Sequence, residues 1–221
     1  MKIGIIGAGM IGGTLTRRLA RLGHEVEVAN SRGPETLAGL AGETGTRAVT
    51  VQQAARGKDV VVVTIPLKNV AQLPSGLFAE TPQRAVIIDT NNYYPERDGK
   101  IVEIEHNGIP ESRWVERQLG RSVVKAFNTI RAQHLLEKGK SPGTPGRIAL
   151  PVAGDEWEKK AAVMRLIDEL GFDPVDAGGI DQSWRQQPGT PCYVADLERE
   201  QLIQALAAAS PLRGTAWRAK T

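Results

Sequence analysis

Residues 2–13 read KIGIIGAGMIGG, and the fold turns on how this stretch is parsed. A β-type run, Lys2–Ile6, closes on Gly7-Ala8-Gly9-Met10-Ile11-Gly12. Beyond it Ile11, Leu15, Leu19 and Leu22 recur at helical spacing until Gly23. The order strand, glycine turn, helix carries more weight than the letters G-x-G-x-x-G alone. In that order the first glycine permits a tight turn, the second lets the backbone approach a pyrophosphate, and the third packs helix against strand. Unpaired N–H groups at the helix start, aided by the helix dipole, then face negative charge. Gly7, Gly9 and Gly12, with Met10 and Ile11 between them, are the expected contacts of a dinucleotide.

The rest of the chain repeats the alternation. Glu25–Ala29 reads as a second strand and residues 34–43 as a helix. Residues 59–64 (DVVVVT) and 85–89 are continuous apolar runs of the kind buried on both faces of a parallel sheet. Further strands are expected at 122–127 (SVVKAF), 148–153 and 174–177, with a short helix after the first and a terminal helix over 197–209. GKSPGTPG at 139–146 reads as a boundary or mobile loop. Asp155 is placed to cap a helix with Glu158 three residues on, its apolar face carrying Trp157, Ala161, Met164 and Leu170 before Gly171 ends it. The expected fold is α/β, a Rossmann-type doubly wound, mostly parallel sheet with a small C-terminal α/β extension. The nucleotide-binding domain is placed at 1–138 and the small C-terminal region at 146–221.

Composition excludes several classes. At 221 residues and 41% apolar, the chain can bury a sizeable core. No secretory pattern opens it and no run approaches about 18 apolar residues, so no membrane span and a cytoplasmic location are expected. Cys192 is the one cysteine, and His24, His106 and His134 lack ligand spacing, which argues against a disulfide framework or a metal site. The net charge of +3 is dispersed. Arg17, Arg18 and Arg21 form its densest group, read as a solvated helix face rather than a nucleic-acid patch.

The cofactor is read from Asn30-Ser31-Arg32, where the second strand ends. An Asp or Glu there would accept from both ribose hydroxyls of NAD and repel a 2′-phosphate. Asn30 removes that repulsion, Ser31 offers a hydroxyl, and Arg32 offers a planar cationic fork suited to phosphate oxygens. NADP(H) is therefore expected over NAD(H). Ligands of a parallel sheet sit beyond the carboxyl ends of its strands. Ile65 and Pro66 are apolar enough to pack a nicotinamide face, and Asn91 and Asn128 are amides able to bond its carboxamide or a substrate carbonyl. These two are the candidate catalytic residues; both also suit a purely structural role as turn and cap residues.

Taken together, KIGIIGAGMIGGTLTRRLARLGHEVEVANSRGPE, VVVVTIP, VVKAFNTI and VDAGGI resemble the family of coenzyme F420-dependent NADP oxidoreductases. They are also similar to the NADPH-oxidising domains of STEAP metalloreductases. The resemblance reaches to about Ile180. It implies a hydride passed directly between NADPH and a flat flavin or deazaflavin ring, such as FAD, FMN or coenzyme F420, and 2′-phosphate contacts at Ser31 and Arg32. Where the deazaflavin enzymes carry a histidine near the acceptor ring this sequence has Asn128, as STEAP-like domains do. A homodimer is expected by the same analogy.

Residues 183–193 (SWRQQPGTPCY) lie where that family completes its acceptor pocket, with Arg185, Gln186 and Gln187 as donors. They read equally as a surface turn or a dimer contact. Direct hydride transfer needs ring alignment more than acid–base groups. Two alternatives stay open. A small ketone or imine reductase of the β-hydroxyacid or pyrroline-carboxylate type would need a proton donor, for which Tyr93, Tyr94 and Tyr193 are candidates. A non-catalytic NADP(H)-binding redox sensor would need none.

Overall fold

The computed structural model describes residues 1–219. Strand β1 (Lys2–Ile6) leads through α1 (Met10–Arg21) to β2 (Glu25–Ala29). The predicted second helix begins as a 3₁₀ turn, Pro34–Leu37, and continues as α2 (Ala38–Thr44). A two-residue strand β3 (Arg47–Ala48), helix α3 (Val51–Ala55) and β4 (Val60–Val63) complete the first half. After β5 (Val86–Asp89) come α4 (Pro95–Asp98), α5 (Val102–Glu105) and α6 (Glu111–Leu119), which lead to β6 (Val124–Lys125). The remainder is α7 (Ala132–Glu137), β7 (Ala149–Val152), α8 (Trp157–Glu169), β8 (Asp173–Asp176) and α9 (Arg199–Ala207).

The first six strands form a parallel sheet in the order β3-β2-β1-β4-β5-β6, the doubly wound arrangement expected from the sequence. Strand order reverses between β1 and β4, so a crevice opens beyond their carboxyl ends. One sheet face is covered by α1, α7 and α8, through Leu15, Leu19, Leu135, Val163 and Leu166. The other is covered by α3 and α6, through Ala54, Ala55, Trp114 and Val115. At Gly4 a Cβ would overlap the Ala54 carbonyl oxygen, so α3 lies directly on the β1 backbone. β7 and β8 pair in parallel, and Lys125 and Ala153 exchange two backbone hydrogen bonds of 2.8 and 3.1 Å that join β7 antiparallel to β6.

Five local expectations are corrected. SVVKAF is strand only at Val124–Lys125, because Phe127 takes φ +61° and turns the chain out of the sheet. Asp155 does not cap α8: its Oδ1 accepts from the Ile180 N–H at 2.8 Å and its Oδ2 from Arg113 at 2.9 Å. The buried positions of α8 are Lys160, Val163, Leu166 and Ile167, and Leu170 at its end is buried as expected, while Trp157 is 62% exposed beneath the Lys160 ammonium. Arg18 is not a solvated charge: its guanidinium donates to the carbonyls of Leu135, Leu136 and Leu170, satisfying the ends of α7 and α8. The loop at 139–146 is pinned, with the Lys140 N–H on the Gly171 carbonyl at 2.9 Å and Arg147 Nε on the Lys140 carbonyl at 3.0 Å.

Candidate functional site

The glycine turn is built as its sequence requires. Gly7 has φ +110°, open to few residues other than glycine, and its N–H donates to the Ala29 carbonyl at 2.8 Å, tying the turn to the end of β2. A Cβ on Gly12 would overlap the Gly7 carbonyl oxygen and meet Thr64 Cγ2 at 2.7 Å, so α1 enters at the closest approach to the turn. At Gly9 a Cβ would meet nothing within 4 Å, leaving the N-terminus of α1 accessible to a ligand. Met10 beside it is 81% exposed and Ile11 half-buried. This is the shape a pyrophosphate needs, and the residues present fit that group.

Asn30 fixes the adjacent turn. Its Oδ1 accepts from the Arg32 N–H at 2.9 Å and its Nδ2 donates to Thr36 Oγ1 at 2.9 Å, while Thr36 Oγ1 donates to the Gly33 carbonyl at 2.8 Å. Asn30 is thereby spent on shaping the loop. Ser31 and Arg32 are exposed, and among the described residues neither side chain has a partner. A hydroxyl and a guanidinium are thus presented together one strand away from the glycine turn.

From there a rim of contacts runs along the carboxyl ends of β4, β5 and β6. The Ile65 N–H donates to Asn91 Oδ1 at 3.0 Å, so Asn91 positions the half-buried Ile65-Pro66 ledge. The Asn91 Nδ2 is buried and has no hydrogen-bond partner among the described residues. Beneath it Lys125 and Asp89, both without solvent exposure, pair at 3.2 Å. Asp89 also accepts from Ser112 Oγ at 2.7 Å and from the Asn91 N–H at 2.9 Å, and Lys125 Nζ donates to the Asn91 carbonyl. This buried network holds the segment after β5 rigid.

Asn128 is engaged on all sides. Its Nδ2 donates to Asn92 Oδ1 at 3.0 Å and to the Gln186 carbonyl at 2.6 Å, and its Oδ1 accepts from Gln186 Nε2 at 2.9 Å. Asn92 Nδ2 returns a bond of 3.0 Å to the Asn128 carbonyl. The amide therefore ties the ends of β5 and β6 to the 183–193 segment. Asn92 is a full member of this ladder. Within the segment the side chains diverge: Arg185 turns away to the Leu206 carbonyl at 3.0 Å while Gln186 faces Asn128.

The three tyrosines separate clearly. Tyr93 is buried, its hydroxyl 2.7 Å from the Gly99 carbonyl and 2.6 Å from Glu105, with one proton to share between them; burial and that carboxylate push its pKa up. The hydroxyls of Tyr94 and Tyr193 bond to each other beside the amide ladder, and burial raises the Tyr193 pKa as well. Cys192 is 3% exposed and burial raises its thiol pKa, which suits a packed rather than nucleophilic side chain. Among the described residues, no group of three His, Cys, Asp or Glu is placed to hold a metal ion, and no helix is long and apolar enough to cross a membrane.

Comparison with known proteins agrees with this fold. Residues 2–93 match the family described as NADP oxidoreductase, coenzyme F420-dependent. The protein YjhV of Escherichia coli (strain K12) is 41% identical over 83 residues, and the match spans 37% of this chain and 61% of that protein. The crystal structure of protein SMa0349 from Sinorhizobium meliloti superposes with a TM-score of 0.75 at 29% identity, over 90% of this chain and 96% of that one. A protein of Arthrobacter sp. FB24, assigned as a candidate F420-dependent NADP reductase, superposes with a TM-score of 0.65 over 83% of this chain and 87% of that one. At 24% identity it shows the shared fold.

Proposed function

We propose that the protein is an NADPH-dependent oxidoreductase with a flat flavin or deazaflavin-like acceptor, a reading supported by the match of residues 2–93 to the coenzyme F420-dependent NADP oxidoreductase family. The observation that carries the cofactor half is the Ser31–Arg32 pair, unpartnered and one strand from the open N-terminus of α1. Gly7, Gly9, Met10, Ile11 and Gly12 hold the pyrophosphate in this reading. Asn30 shapes the loop from which Ser31 and Arg32 bind the 2′-phosphate. When bound, NADPH supplies a hydride.

The chain's own residues then orient and shield. Ile65 and Pro66 give an apolar ledge against one ring face, and Asn91 offers its unpartnered Nδ2 to the carboxamide. Asn128 acts as a positioning residue, holding Asn92 and Gln186 so that the acceptor side keeps its shape. Residues 146–221 complete that side. A rigid, dry surface for two stacked rings is what direct hydride transfer needs. A cytoplasmic homodimer accompanies the proposal by family analogy.

The Tyr94–Tyr193 hydroxyl pair supports a second reading, reduction of a small ketone or imine, because it places a proton source at the strand ends. The experiment that separates the two follows NADPH absorbance with FAD, FMN, a deazaflavin and a panel of ketones and imines. Turnover with the flat-ring acceptors is the expected result. Turnover with carbonyl compounds alone would select the second reading, and tight NADPH binding without any turnover would make the protein a redox sensor.

A further inference from the structure

Beyond α9 the chain crosses back over the 183–193 segment as a strap. Arg213 anchors it, donating to the fully buried Glu111 at 2.5 Å and to Gln187 Oε1 at 3.0 Å, with its guanidinium 5.2 Å from the centre of the Tyr93 ring. After Gly214, a 3₁₀ turn at Thr215–Trp217 carries the Trp217 indole inward, and the Ala219 N–H closes on Glu105 at 2.7 Å.

The indole lands in a slot with the properties of a ring site. Its centroid is 6.1 Å from that of Tyr94, tilted by 44°, and 6.1 Å from that of Tyr193, edge-on at 79°. The third wall is the Gly189 backbone, where a Cβ would meet indole Cδ1 and Nε1 at 2.6 Å; any side chain there would shut the slot. Tyr94 and Tyr193 are joined through their hydroxyls, and Arg97 lies 4.7 Å from the Tyr94 ring centre. Tyr193 is set by strained backbone: the next residue, Val194, has φ +50° and donates its N–H to the Thr129 carbonyl at 2.9 Å. A β-branched residue at positive φ is strained, and strain of this kind clusters at functional sites.

The strap is held at its ends more than along its length. It roofs a cavity of about 650 Å³ shared with Gln187, Pro188 and Thr190 rather than lying on a packed core, and Leu212 on it is 79% exposed. Lifting residues 215–219 about Gly214 would break the Arg218–Arg213 and Ala219–Glu105 bonds and leave the Arg213–Glu111 pair made.

We propose that the Trp217 indole occupies the seat of the acceptor's ring, and that the strap is displaced when a planar fused heteroaromatic acceptor enters. The inference rests on the proposed flat-ring acceptor and adds to it an occupied, self-inhibited state. Small carbonyl compounds would have no need to evict the indole, so the strap also acts as a selector by ring size.

Riboflavin, titrated with NADP⁺ present and followed by quenching of its own fluorescence, tests this without turnover. Trp217→Ala is expected to lower its dissociation constant at least fivefold. In the unaltered protein, saturating riboflavin is expected to speed hydrogen exchange across residues 215–219, the Ala219 amide included. Unchanged or weaker binding by the variant, no binding by either protein, or slowed exchange in the strap would each overturn the proposal. If riboflavin binds as expected and NADPH is still not oxidised by it, the hydride-transfer reading falls and the strap assignment stands.

Discussion

Replacing Arg32 by Ala is expected to raise the Michaelis constant for NADPH about 10- to 100-fold and to leave that for NADH within about twofold. Hydrogen bonds to a charged group contribute about 1.5–3 kcal/mol, and 1.4 kcal/mol is a factor of ten. The guanidinium has no protein partner among the described residues, so its removal breaks nothing in the fold and the effect is confined to the extra phosphate. Steady-state kinetics with both coenzymes checks this. A parallel change for the two would mean that Arg32 serves no 2′-phosphate.

The largest expected effect on stability comes from Lys125→Met. Lys125 and Asp89 are both fully buried, and the methionine would leave the Asp89 carboxylate without its counter-charge while Ser112 and the Asn91 N–H still point at it. Breaking a buried pair from one side costs about 3–5 kcal/mol, mostly the penalty of the charge left behind. Urea unfolding should show that loss, and a second change, Asp89→Asn, should recover part of it by removing the stranded charge. A loss below about 1 kcal/mol would mean that the pair is hydrated rather than buried. The same network fixes the segment that carries Asn91, so the affinity for NADPH should fall along with stability.

These two residues differ in how visible they are in the sequence. Arg32 follows a strand and a glycine turn within one βαβ unit, and every feature that gives it meaning lies within thirty residues. The first three elements were legible for the same reason: Lys2–Ile6, α1 and β2 are specified by local alternation, glycines and helical spacing. Lys125 and Asp89 are separated by 36 positions, and nothing in SVVKAF marks its lysine as buried.

Arg18 was misread because its acceptors, the ends of α7 and α8, are more than a hundred residues away. Asp155 carries a cap pattern, yet the non-local demand from Ile180 and Arg113 outweighs it. Helix α6 escaped notice for a related reason. Its first turn buries Glu111 and Ser112, which look solvent-facing until Tyr93, Arg213 and Asp89 are seen to hold them. The strap has no periodicity at all, and its role appears only once Trp217 is seen against Tyr94 and Tyr193. At the candidate site the residue types at the strand ends were legible but their division of labour was not: Asn91 retains an unpartnered donor, whereas Asn128 is consumed by Asn92 and Gln186.

The central claim is that the turn after β2 is built for a phosphorylated ribose. Calorimetric titration of the unaltered protein with NADPH and with NADH tests it most directly. NADPH is predicted to bind at least tenfold more tightly at the same ionic strength, with the advantage shrinking as salt is raised and the Arg32 charge is screened. Equal affinities for the two coenzymes, or no binding of either, would contradict the account.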